Sequence, residues 1–473
     1  MNLVQAALSK QLDTLRAAAA RSTSDLGQRR QQLVALAQAL RQHQNALLQA
    51  TNADFGGRAH AETQLLELFP LFDQIRHART CLRGWMRRRH VRGAWFLWPA
   101  QAFYDYQPLG VVGIIGAWNY PTLLTLGPLV DAIASGNRVM LKTSELAPRT
   151  AQVIARIVDA AFTPDQVICV NGDAEVAQAF SALPLDHLLF TGSTRVGQRV
   201  MQAAACNLTP VTLELGGKSP AIVHGSYDLD RVASRIWTAK LFNAGQTCVA
   251  PDYVLLPAGC EAAFQAASQR IVSALYPRLH DNPDYTHIVN EAHYSRLQEL
   301  LADARQQGAN VVQLGAPCCA EDMFVGRIVP PTLLSGVSGA MRVMQEEIFG
   351  PLLPVLSYQT LDEAIDYVNA GPRPLALYYF DESRQRQDEV LRRTRSGGVT
   401  FSDCLYHLAQ PNLPFGGIGP SGMGHYHGFD GFVTFSKKRA AMRQRRLAAS
   451  DLLHAPWARR RWLLDLMLRI VSR

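Results

Sequence analysis

Three motifs of the 473-residue sequence contain side chains whose types and positions could do chemistry. Cys248 lies among small polar residues between a glycine and a proline, which indicates a turn rather than the core of a helix. Glu214 lies in an apolar segment that ends at a double glycine. Burial there without a charged partner would raise the pKa of its carboxyl group, as a general base working near neutrality requires. Asn119 follows an apolar segment, and its amide can donate to a developing oxyanion.

Each of these side chains also has an ordinary structural interpretation. Most cysteines are inert small apolar residues, and nothing local distinguishes Cys248 from Cys206. Glu214 could pair with an arginine or lysine from another part of the chain. Asn119 could make a turn before the Tyr–Pro step that follows it. Taken one at a time, these residues leave both interpretations open.

Two further motifs contain residue types that can bind a nucleotide. In Phe190–Gly197, Gly192 would permit close backbone approach, and Ser193 could cap a helix or donate to phosphate. The motif is not the usual G-x-G-x-x-G, so an ordinary capped turn is the alternative. Lys142 and Glu145 follow another strand-like segment and suit ribose hydroxyls, or else they form a solvated pair at the start of a helix.

The elements that position these residues alternate regularly from residue 109 onwards. The predicted strands are 109–116, 138–142, 167–170 and 187–190. The predicted helices between them lie near 122–135, 148–162, 173–181 and 194–207. This alternation predicts a parallel sheet covered on both faces, and such sheets bind ligands at the carboxyl ends of their strands.

The rest of the chain divides into segments of different character. A second α/β series spans 214–400, with candidate strands at 220–223, 253–256 and 353–357. Residues 1–80 have helical periodicity. Residues 83–106 are basic and aromatic, which indicates extended structure on a surface or an exposed basic loop. The sequence thus predicts two α/β domains in succession.

The net charge of +8 is concentrated at one end of the chain. Residues 437–473 contain eleven basic and two acidic side chains, so the rest is nearly neutral and does not indicate a nucleic-acid partner. Helical spacing places five apolar residues behind an arginine cluster in this tail: Leu463, Leu466, Met467, Ile470 and Val471. Such a segment could lie on an anionic membrane surface, or pack on the body or on a partner subunit.

The cysteines favour a reducing compartment and exclude the common metal motifs. The eight thiols include no C-x-x-C pair, so we expect no metal site. The amino-terminal residues lack the unbroken apolar stretch of a signal peptide, and no segment approaches the ~18 apolar residues of a membrane span. We therefore expect a cytoplasmic protein, which would be peripheral at a membrane if the tail binds one.

Taken together and in order, the motifs resemble those of the aldehyde dehydrogenase superfamily, over about residues 25–438. The ending GMGHYHG is similar to the class 3 branch, and the motifs are closest to its bacterial coniferyl aldehyde dehydrogenases. The resemblance rests on WNYP at 118–121, KTSE at 142–145, FTGSTRVG at 190–197, LELGGKSP at 213–220, NAGQTCVAPDY at 243–253, EEIFGP at 346–351 and LPFGGIGPSGMGHYHG at 413–428.

The resemblance implies the fold and its division into domains. We expect an α/β fold with a Rossmann-type cofactor domain, an α/β catalytic domain and a small β oligomerisation element. The cofactor domain would comprise residues 1–82 and 107–213, and the catalytic domain 214–404. The oligomerisation element would comprise 83–106 and 405–440, and 441–473 would form a basic amphipathic tail. The family also implies a homodimer.

The resemblance further implies the roles of individual residues. Cys248 would be the nucleophile, Glu214 the general base, and Asn119 part of the oxyanion hole. The residues that would contact NAD, with NADP as a possible substitute, are Lys142, Glu145, Gly192, Ser193, Gly197, Leu215, Gly216, Glu347 and Phe349. The residues that would line the substrate pocket, by analogy, are Tyr120, Leu124 and Tyr406.

These roles imply oxidation of an aldehyde to a carboxylic acid. The substrate would be an aromatic aldehyde such as coniferaldehyde, or a medium- or long-chain aliphatic one. The reaction would proceed through a thiohemiacetal and a thioester on Cys248, and the thioester would be hydrolysed with Glu214 as base. Two alternatives remain: a cysteine hydrolase, which normally needs a histidine near the thiol, and a binding protein that keeps the fold without catalysis.

Overall fold

A six-stranded sheet forms the framework of the first half of the chain. The computed structural model describes residues 3–21, 23–279, 282–315 and 326–472. In spatial order the strands are Gly422–Met423, Val211–Glu214, His187–Thr191, Val111–Ile115, Arg138–Lys142 and Val167–Val170. All neighbours are parallel except the first pair. The four strands expected from the sequence are confirmed.

Helices cover both faces of this sheet because successive strand residues point in opposite directions. Val112 and Ile114 pack in one core cluster together with Leu33 and other leucines of the long second helix. Val111 and Ile115 pack in a second cluster with leucines of the first helix. The helices are Leu3–Arg21, Leu26–Phe55, His60–Thr63, Phe69–Trp85, Pro121–Ala134, Pro148–Ala161, Ala174–Ser181 and Thr194–Ala205, with a π-helical turn at Gln64–Leu68.

A seven-stranded sheet forms the framework of the second half. In spatial order its strands are Asn310–Gln313, Thr332–Ser335, Leu352–Tyr358, Tyr253–Pro257, Pro220–Val223, Ala376–Phe380 and Gly398–Phe401. Only the first pair is antiparallel. Its longer helices are Leu229–Leu241, Glu261–Leu275, Glu291–Gln306, Leu361–Ala370 and Arg384–Arg393, with a short one at Arg342–Gln345. The three strands expected here are confirmed, and four others were not predicted.

A three-stranded antiparallel sheet joins two distant parts of the sequence. Gln101–Pro108 is its central strand, flanked by Arg89–Val91 and by Ser436–Arg443, which follows the helix Gly428–Thr434. The expected extended segment at 83–106 begins too early, because the helix Phe69–Trp85 continues through residue 83.

The expected boundaries of the small β element also differ from the observed strands. Ser436–Arg443 extends three residues into the segment assigned to the tail. Gly422–Met423 lies within 405–440 but pairs with the six-stranded sheet. The segment 405–443 therefore contributes a strand to each of two sheets, because its glycines allow the backbone to approach Val211–Glu214 closely before the chain reaches Ser436–Arg443. The division into domains stays a prediction.

The carboxyl-terminal segment contacts the body mainly through its first residues. Gln444 Nε2 donates to Leu97 O (3.3 Å), and Ala449 N donates to Trp98 O (3.1 Å). Single 3₁₀ turns at Ala449–Leu453 and Trp457–Arg460 lead into the helix Arg461–Val471, in which no residue is buried. The predicted tail helix is confirmed. Among the described helices, none is both long and apolar enough to cross a bilayer.

Candidate active site

Four of the candidate residues lie at one edge of the six-stranded sheet because they follow the ends of parallel strands. Lys142 and Glu214 are the last residues of their strands, Gly192 follows Thr191, and Asn119 comes four residues after Ile115. Parallel strands place all their carboxyl ends on one side, as the sequence pattern predicted. After Glu214 the chain passes through Gly216 and Gly217 and enters Pro220–Val223, a strand of the seven-stranded sheet.

A strained turn carries the candidate nucleophile to this edge. Asn243, Ala244 and Gly245 adopt consecutive left-handed conformations, with φ of 54°, 51° and 77°. The Asn243 side-chain amide holds the turn by donating to Asn119 O (2.9 Å) and Gln246 O (3.1 Å). A Cβ on Gly245 would lie 2.2 Å from Gly350 O, so only glycine fits there.

Asn119 is tied directly to this turn. Its side chain is buried, and Nδ2 donates to Gln246 O (3.1 Å), two residues before Cys248. An amide nitrogen carries two N–H groups, so one remains to donate to a substrate oxygen. The contact fixes the amide beside the nucleophile although the two residues are 129 positions apart.

The Cys248 thiol faces two carboxylates. Its side chain is half-buried, and burial together with the nearby Glu347 and Glu214 raises the pKa of the thiol to about 12. The backbone N–H groups of Cys248 and Val249 act in the opposite direction, because they stabilise the thiolate. Without a further positive charge or a base, the sulfur therefore holds its proton at neutral pH.

Glu214 is a buried carboxyl group with no compensating partner among the residues that the structure describes. Within the described part of the chain, neither of its carboxylate oxygens has a hydrogen-bond partner. Burial raises the pKa of Glu214 well above its ordinary value. The interpretation that Glu214 pairs with an arginine or lysine is therefore wrong, and the raised pKa suits a general base.

The adenosine end of the candidate cofactor site is built around Lys142. Its buried Nζ donates to Gly172 O (2.8 Å) and Thr143 O (2.5 Å), and lies 3.6 Å from the half-exposed carboxylate of Glu145. Burial lowers the pKa of Lys142, an effect that the nearby Glu145 partly offsets. A cation and a carboxylate are thus held together at a strand end, where ribose hydroxyls could bind.

An open helix end follows the strand His187–Thr191, two strands away from Lys142 in the same sheet. Ser193 is the N-cap of the helix Thr194–Ala205, and its side chain makes no capping hydrogen bond, so the hydroxyl is free of that role. Gly197 brings the first turn against Leu215, because a Cβ there would lie 2.7 Å from a Leu215 methyl carbon. A helix N-terminus that presents backbone N–H groups at a strand end suits a pyrophosphate.

The nicotinamide end is marked by a carboxylate packed on a glycine. A Cβ on Gly216 would lie 2.1 Å from Glu347 Oε2, and the Gly217 N–H donates to this carboxylate. Burial and Asp252 raise the pKa of Glu347 to about 8. Phe349 has a left-handed backbone (φ 51°), and its ring lies 5.5 Å from that of Trp118. The contact of these residues with one extended dinucleotide stays a prediction.

The three candidate pocket residues have different surroundings. Tyr120 is buried, and its hydroxyl contacts Thr247 Oγ1 (2.6 Å), next to Cys248. Leu124 is half-buried one turn into the helix Pro121–Ala134. Tyr406 is 55% exposed. Tyr120 is thus joined to the nucleophile turn, and the place of all three residues in a substrate pocket stays a prediction.

Comparison with known proteins agrees with this geometry. The family model described as "Aldehyde dehydrogenase family" matches residues 3–440. The chain belongs to the aldehyde dehydrogenase family. A probable coniferyl aldehyde dehydrogenase of Pseudomonas aeruginosa is 50% identical over 92% of this chain and 90% of that protein. A coniferyl aldehyde dehydrogenase of a Pseudomonas species is 46% identical over 88% of this chain and 87% of its own length.

Solved structures of the family share the same architecture. The substrate-bound state of Staphylococcus aureus AldH superposes with a TM-score of 0.92 and 36% identity, over 99% of this chain and 100% of that one. An indole-3-acetaldehyde dehydrogenase of Pseudomonas syringae in complex with NAD+ gives a TM-score of 0.84 at 25% identity, over 93% and 89%. The dehydrogenase thus catalyses NAD(P)-dependent oxidation of an aldehyde, and the expected α/β fold is confirmed.

Several residues that build the dehydrogenase site were missed by sequence reasoning. Arg58, which precedes the short helix His60–Thr63, contacts Asn119, and Glu62 within that helix contacts the nucleophile turn. Thr247 contacts Tyr120. Burial, together with the charges of Glu214 and Cys248, raises the pKa of the Tyr426 hydroxyl. Thr247 and Tyr426 lie inside quoted motifs and could have been considered, whereas nothing local marks Arg58 or Glu62.

The glycine of the nucleophile turn gives a prediction. Gly245→Ala should reduce kcat strongly, because the new methyl group would displace the turn from Gly350 O. Gly259→Ala is the matched control, since Gly259 has a similar φ of +87° but open space around its Cβ position. The backbone conformation itself costs roughly 1–2 kcal/mol in both variants. Thermal unfolding and steady-state kinetics measure the two effects, and an unchanged kcat in Gly245→Ala would contradict the prediction.

The unpaired Glu214 gives a prediction about stability. Its folded-state pKa lies above that of the unfolded chain, so the unfolded chain loses the proton first and stability falls as pH rises between the two values. Glu214→Gln removes this loss, and its Tm relative to wild type should increase from pH 5 to pH 8. Calorimetry measures the difference, with the exposed Glu382→Gln as control. A Tm difference independent of pH would exclude a raised pKa.

Proposed function

We propose that this dehydrogenase oxidises aromatic aldehydes, coniferaldehyde among them, with Cys248 as nucleophile, Asn119 as oxyanion donor and Glu214 as base. Relatives with 46% and 50% identity are named for coniferyl aldehyde and match the chain over nearly its whole length, which supports this substrate class. The observation that carries the assignment is that the Glu214 carboxylate is buried, lacks a hydrogen-bond partner among the described residues, and acts electrostatically on the Cys248 thiol.

The first step is addition of the sulfur to the aldehyde carbon. Only the thiolate is strongly nucleophilic, so the thiol must lose its proton. Glu214 and Glu347 are both nearby carboxylates with a raised pKa, but Glu347 accepts from the Gly217 N–H, whereas Glu214 has no hydrogen-bond partner among the described residues. Addition moves a pair of carbonyl electrons onto oxygen. The second N–H of Asn119 and the backbone N–H of Cys248 would donate to this oxyanion, and loss of one such donor typically costs about 3 kcal/mol.

The second half of the reaction releases the acid. NAD(P), when bound by Lys142, Glu145, the Ser193 helix end and Glu347, supplies the acceptor for the hydride that leaves the carbon. Cys248 then carries a thioester. Glu214 takes a proton from water as the water attacks the thioester carbon, and Asn119 again donates to the oxyanion. Collapse expels the Cys248 sulfur and gives the carboxylic acid.

The surroundings of the thiol distinguish this chemistry from that of a cysteine hydrolase. A hydrolase of that type needs an imidazole within hydrogen-bond distance of the sulfur. The side chains with the largest effects on the pKa of Cys248 are the carboxylates Glu347 and Glu214. The presence of Glu214 also favours release of the acyl group to water rather than to another thiol acceptor.

The role of Glu214 gives a kinetic prediction. Glu214→Gln should lose steady-state turnover while retaining a first-turnover burst of reduced cofactor, if another base such as hydroxide deprotonates the thiol at high pH. The burst in Glu214→Gln should therefore require a higher pH than the burst in wild type. Stopped-flow fluorescence between pH 6 and pH 10 measures this shift and the loss of steady-state turnover. Glu382→Gln should behave as wild type. Steady-state turnover equal to wild type in Glu214→Gln would exclude Glu214 as the base.

We further propose a preference for NAD over NADP. The Glu145 carboxylate beside Lys142 would accept a hydrogen bond from a 2′-hydroxyl and repel a 2′-phosphate. Glu145→Gln should raise the ratio of kcat/KM with NADP to that with NAD by roughly fivefold, since charges 4 Å apart in water interact by about 1 kcal/mol. Steady-state assays with both cofactors measure the ratio. A wild-type preference for NADP would contradict the proposal.

Assembly and location follow as proposals from the fold and composition. Ser436–Arg443 is an edge strand of the three-stranded sheet and is largely exposed, which supports a homodimer formed through this region. The six cysteines in the described residues are free thiols, which supports a cytoplasmic location.

The tail supports a second proposal, peripheral binding to an anionic membrane. Arg461, Asp465 and Arg469 lie at spacings of four and share one face of the final helix, whereas the remaining circumference is apolar. The exposed apolar side chains are Trp457, Trp462, Leu466, Leu468, Ile470 and Val471. Arginines and tryptophans next to an uncovered apolar face suit the headgroup region of an anionic bilayer.

The membrane proposal is tested with the full-length protein. It should sediment with vesicles of phosphatidylcholine and phosphatidylglycerol and remain in the supernatant with phosphatidylcholine alone. Leu466→Ser/Ile470→Ser should lose this binding, because both exposed apolar side chains are removed. Leu208→Ser, which changes a leucine that is 90% exposed elsewhere, is the control. Equal sedimentation of wild type and the double variant would contradict membrane binding by the helix.

A further inference from the structure

A buried arginine, Arg58, contacts the segment that contains Asn119 and Tyr120. The Arg58 side chain is inaccessible to solvent, and its guanidinium carbon lies 5.0 Å from the ring centroids of both Phe55 and Tyr120. Its Nη2 has no hydrogen-bond partner among the described residues, so the aromatic faces provide much of its environment. A fully buried arginine is costly unless it is paired, which makes its partners informative.

Arg58 pairs with two carboxylates that hold different parts of the active site. Its Nη1 lies 3.2 Å from Glu67 Oε1, and the other oxygen of Glu67 accepts from Thr122 N (2.8 Å) and Leu123 N (3.2 Å). These are the first N–H groups of the helix that follows Asn119 and Tyr120. Glu67 therefore fixes the start of this helix, directly beyond the oxyanion donor.

The second carboxylate reaches the nucleophile turn. Arg58 Nε lies 3.6 Å from Glu62 Oε2, and Glu62 Oε1 accepts from Asn243 N (2.7 Å). Glu62 also accepts from the Thr286 hydroxyl. Asn243 is the first of the three left-handed residues that lead to Cys248. One charged cluster therefore contacts the segment before the nucleophile and the segment after the oxyanion donor.

Arg58 also contacts Asn119 itself. Nη1 donates to Asn119 O (3.1 Å), the same carbonyl that accepts from the Asn243 side chain. The backbone of Asn119 is thus held from two sides while its side chain donates to Gln246 O. We infer that Arg58 is a positioning residue that, through Glu62 and Glu67, sets the distance between the Asn119 amide and Cys248 and so completes the oxyanion hole.

The geometry explains why an arginine is needed at this position. Its planar guanidinium can stack between two rings while separate N–H groups reach a carbonyl and two carboxylates. The compact ammonium of a lysine could keep the charge but not all three contacts. We therefore expect Arg58→Lys to preserve folding while it relaxes the position of Asn119. This inference rests on the proposed role of Asn119 in catalysis.

The test uses the full-length enzyme with coniferaldehyde and NAD. Because Arg58→Met would leave Glu67 buried and unpaired, it is made together with Glu67→Gln, and Arg58→Lys is made alone. The single-turnover rate of reduced-cofactor formation should fall by about 10²-fold in the double variant, as expected for a misplaced catalytic group, with a smaller fall in Arg58→Lys. The Kd for NAD, measured by fluorescence, should stay unchanged.

A matched control separates loss of positioning from loss of stability. Arg29 is also buried, and its Nη1 donates to Ala134 O (3.0 Å) at the opposite end of the same helix, Pro121–Ala134. Arg29→Met should lower the Tm but leave the single-turnover rate close to wild type at temperatures where the protein is folded. A fall in rate equal to that of the Arg58 variants would overturn the inference, because any loosening of the helix would then suffice.

The decisive measurement is a double-mutant cycle with Asn119→Ala. If Arg58 acts through the Asn119 amide, Arg58→Lys should cause no further loss of rate when the amide is already absent. An equal fold-loss in the wild-type and Asn119→Ala backgrounds would overturn the inference while leaving the role of Asn119 intact. A wild-type rate in Asn119→Ala alone would instead overturn the proposed function of Asn119, and with it this inference.

Discussion

The active site depends on a buried carboxylate, Glu214, that has no compensating hydrogen bond from the described part of the chain. Burial of Glu214 is unfavourable for its charged form, and the raised pKa is the direct result. The strand that carries Glu214 is paired on both sides, with His187–Thr191 and with Gly422–Met423, so the carboxylate cannot reach solvent by a small movement. The apolar packing on both faces of the sheet offsets this cost. Burial of Glu214 thus lowers the stability of the folded protein, and it gives a carboxylate that can bind a proton near neutrality.

The two sheets contribute different parts of the same reaction centre. At one edge of the six-stranded sheet lie Asn119, Lys142, Gly192 and Glu214, to which we assign contacts with the cofactor and the developing oxyanion. The second half of the chain supplies Cys248 on a turn that no regular element could provide. Hydrogen bonds between Asn119 and the nucleophile turn join the two halves. The distances between the reacting groups therefore depend on contacts between the two halves of the chain. The charged cluster of Arg58, Glu62 and Glu67 maintains these contacts.

The sequence was sufficient for the parts of the site that depend on local pattern. Strand–helix alternation predicted the cofactor sheet, and the motifs located Cys248, Glu214 and Asn119 at the positions where the structure brings them together. The strand Asn310–Gln313 was not predicted because it is a polar edge strand without alternation. Arg58 was not predicted because its partners Glu62, Glu67 and Asn119 meet only after folding, and an isolated arginine after two glycines resembles a solvated loop residue.

The contact between Gly245 and Gly350 has a consequence for how the enzyme can change. Gly350 follows Glu347 and Phe349, so the loop to which we assign the nicotinamide contacts lies directly against the turn that carries Cys248. A change in the backbone of this loop would therefore also move the turn that carries Cys248. Redesign for bulkier or smaller aldehydes is therefore better directed at the predicted pocket side chains Leu124 and Tyr406, which lie on other segments of the chain.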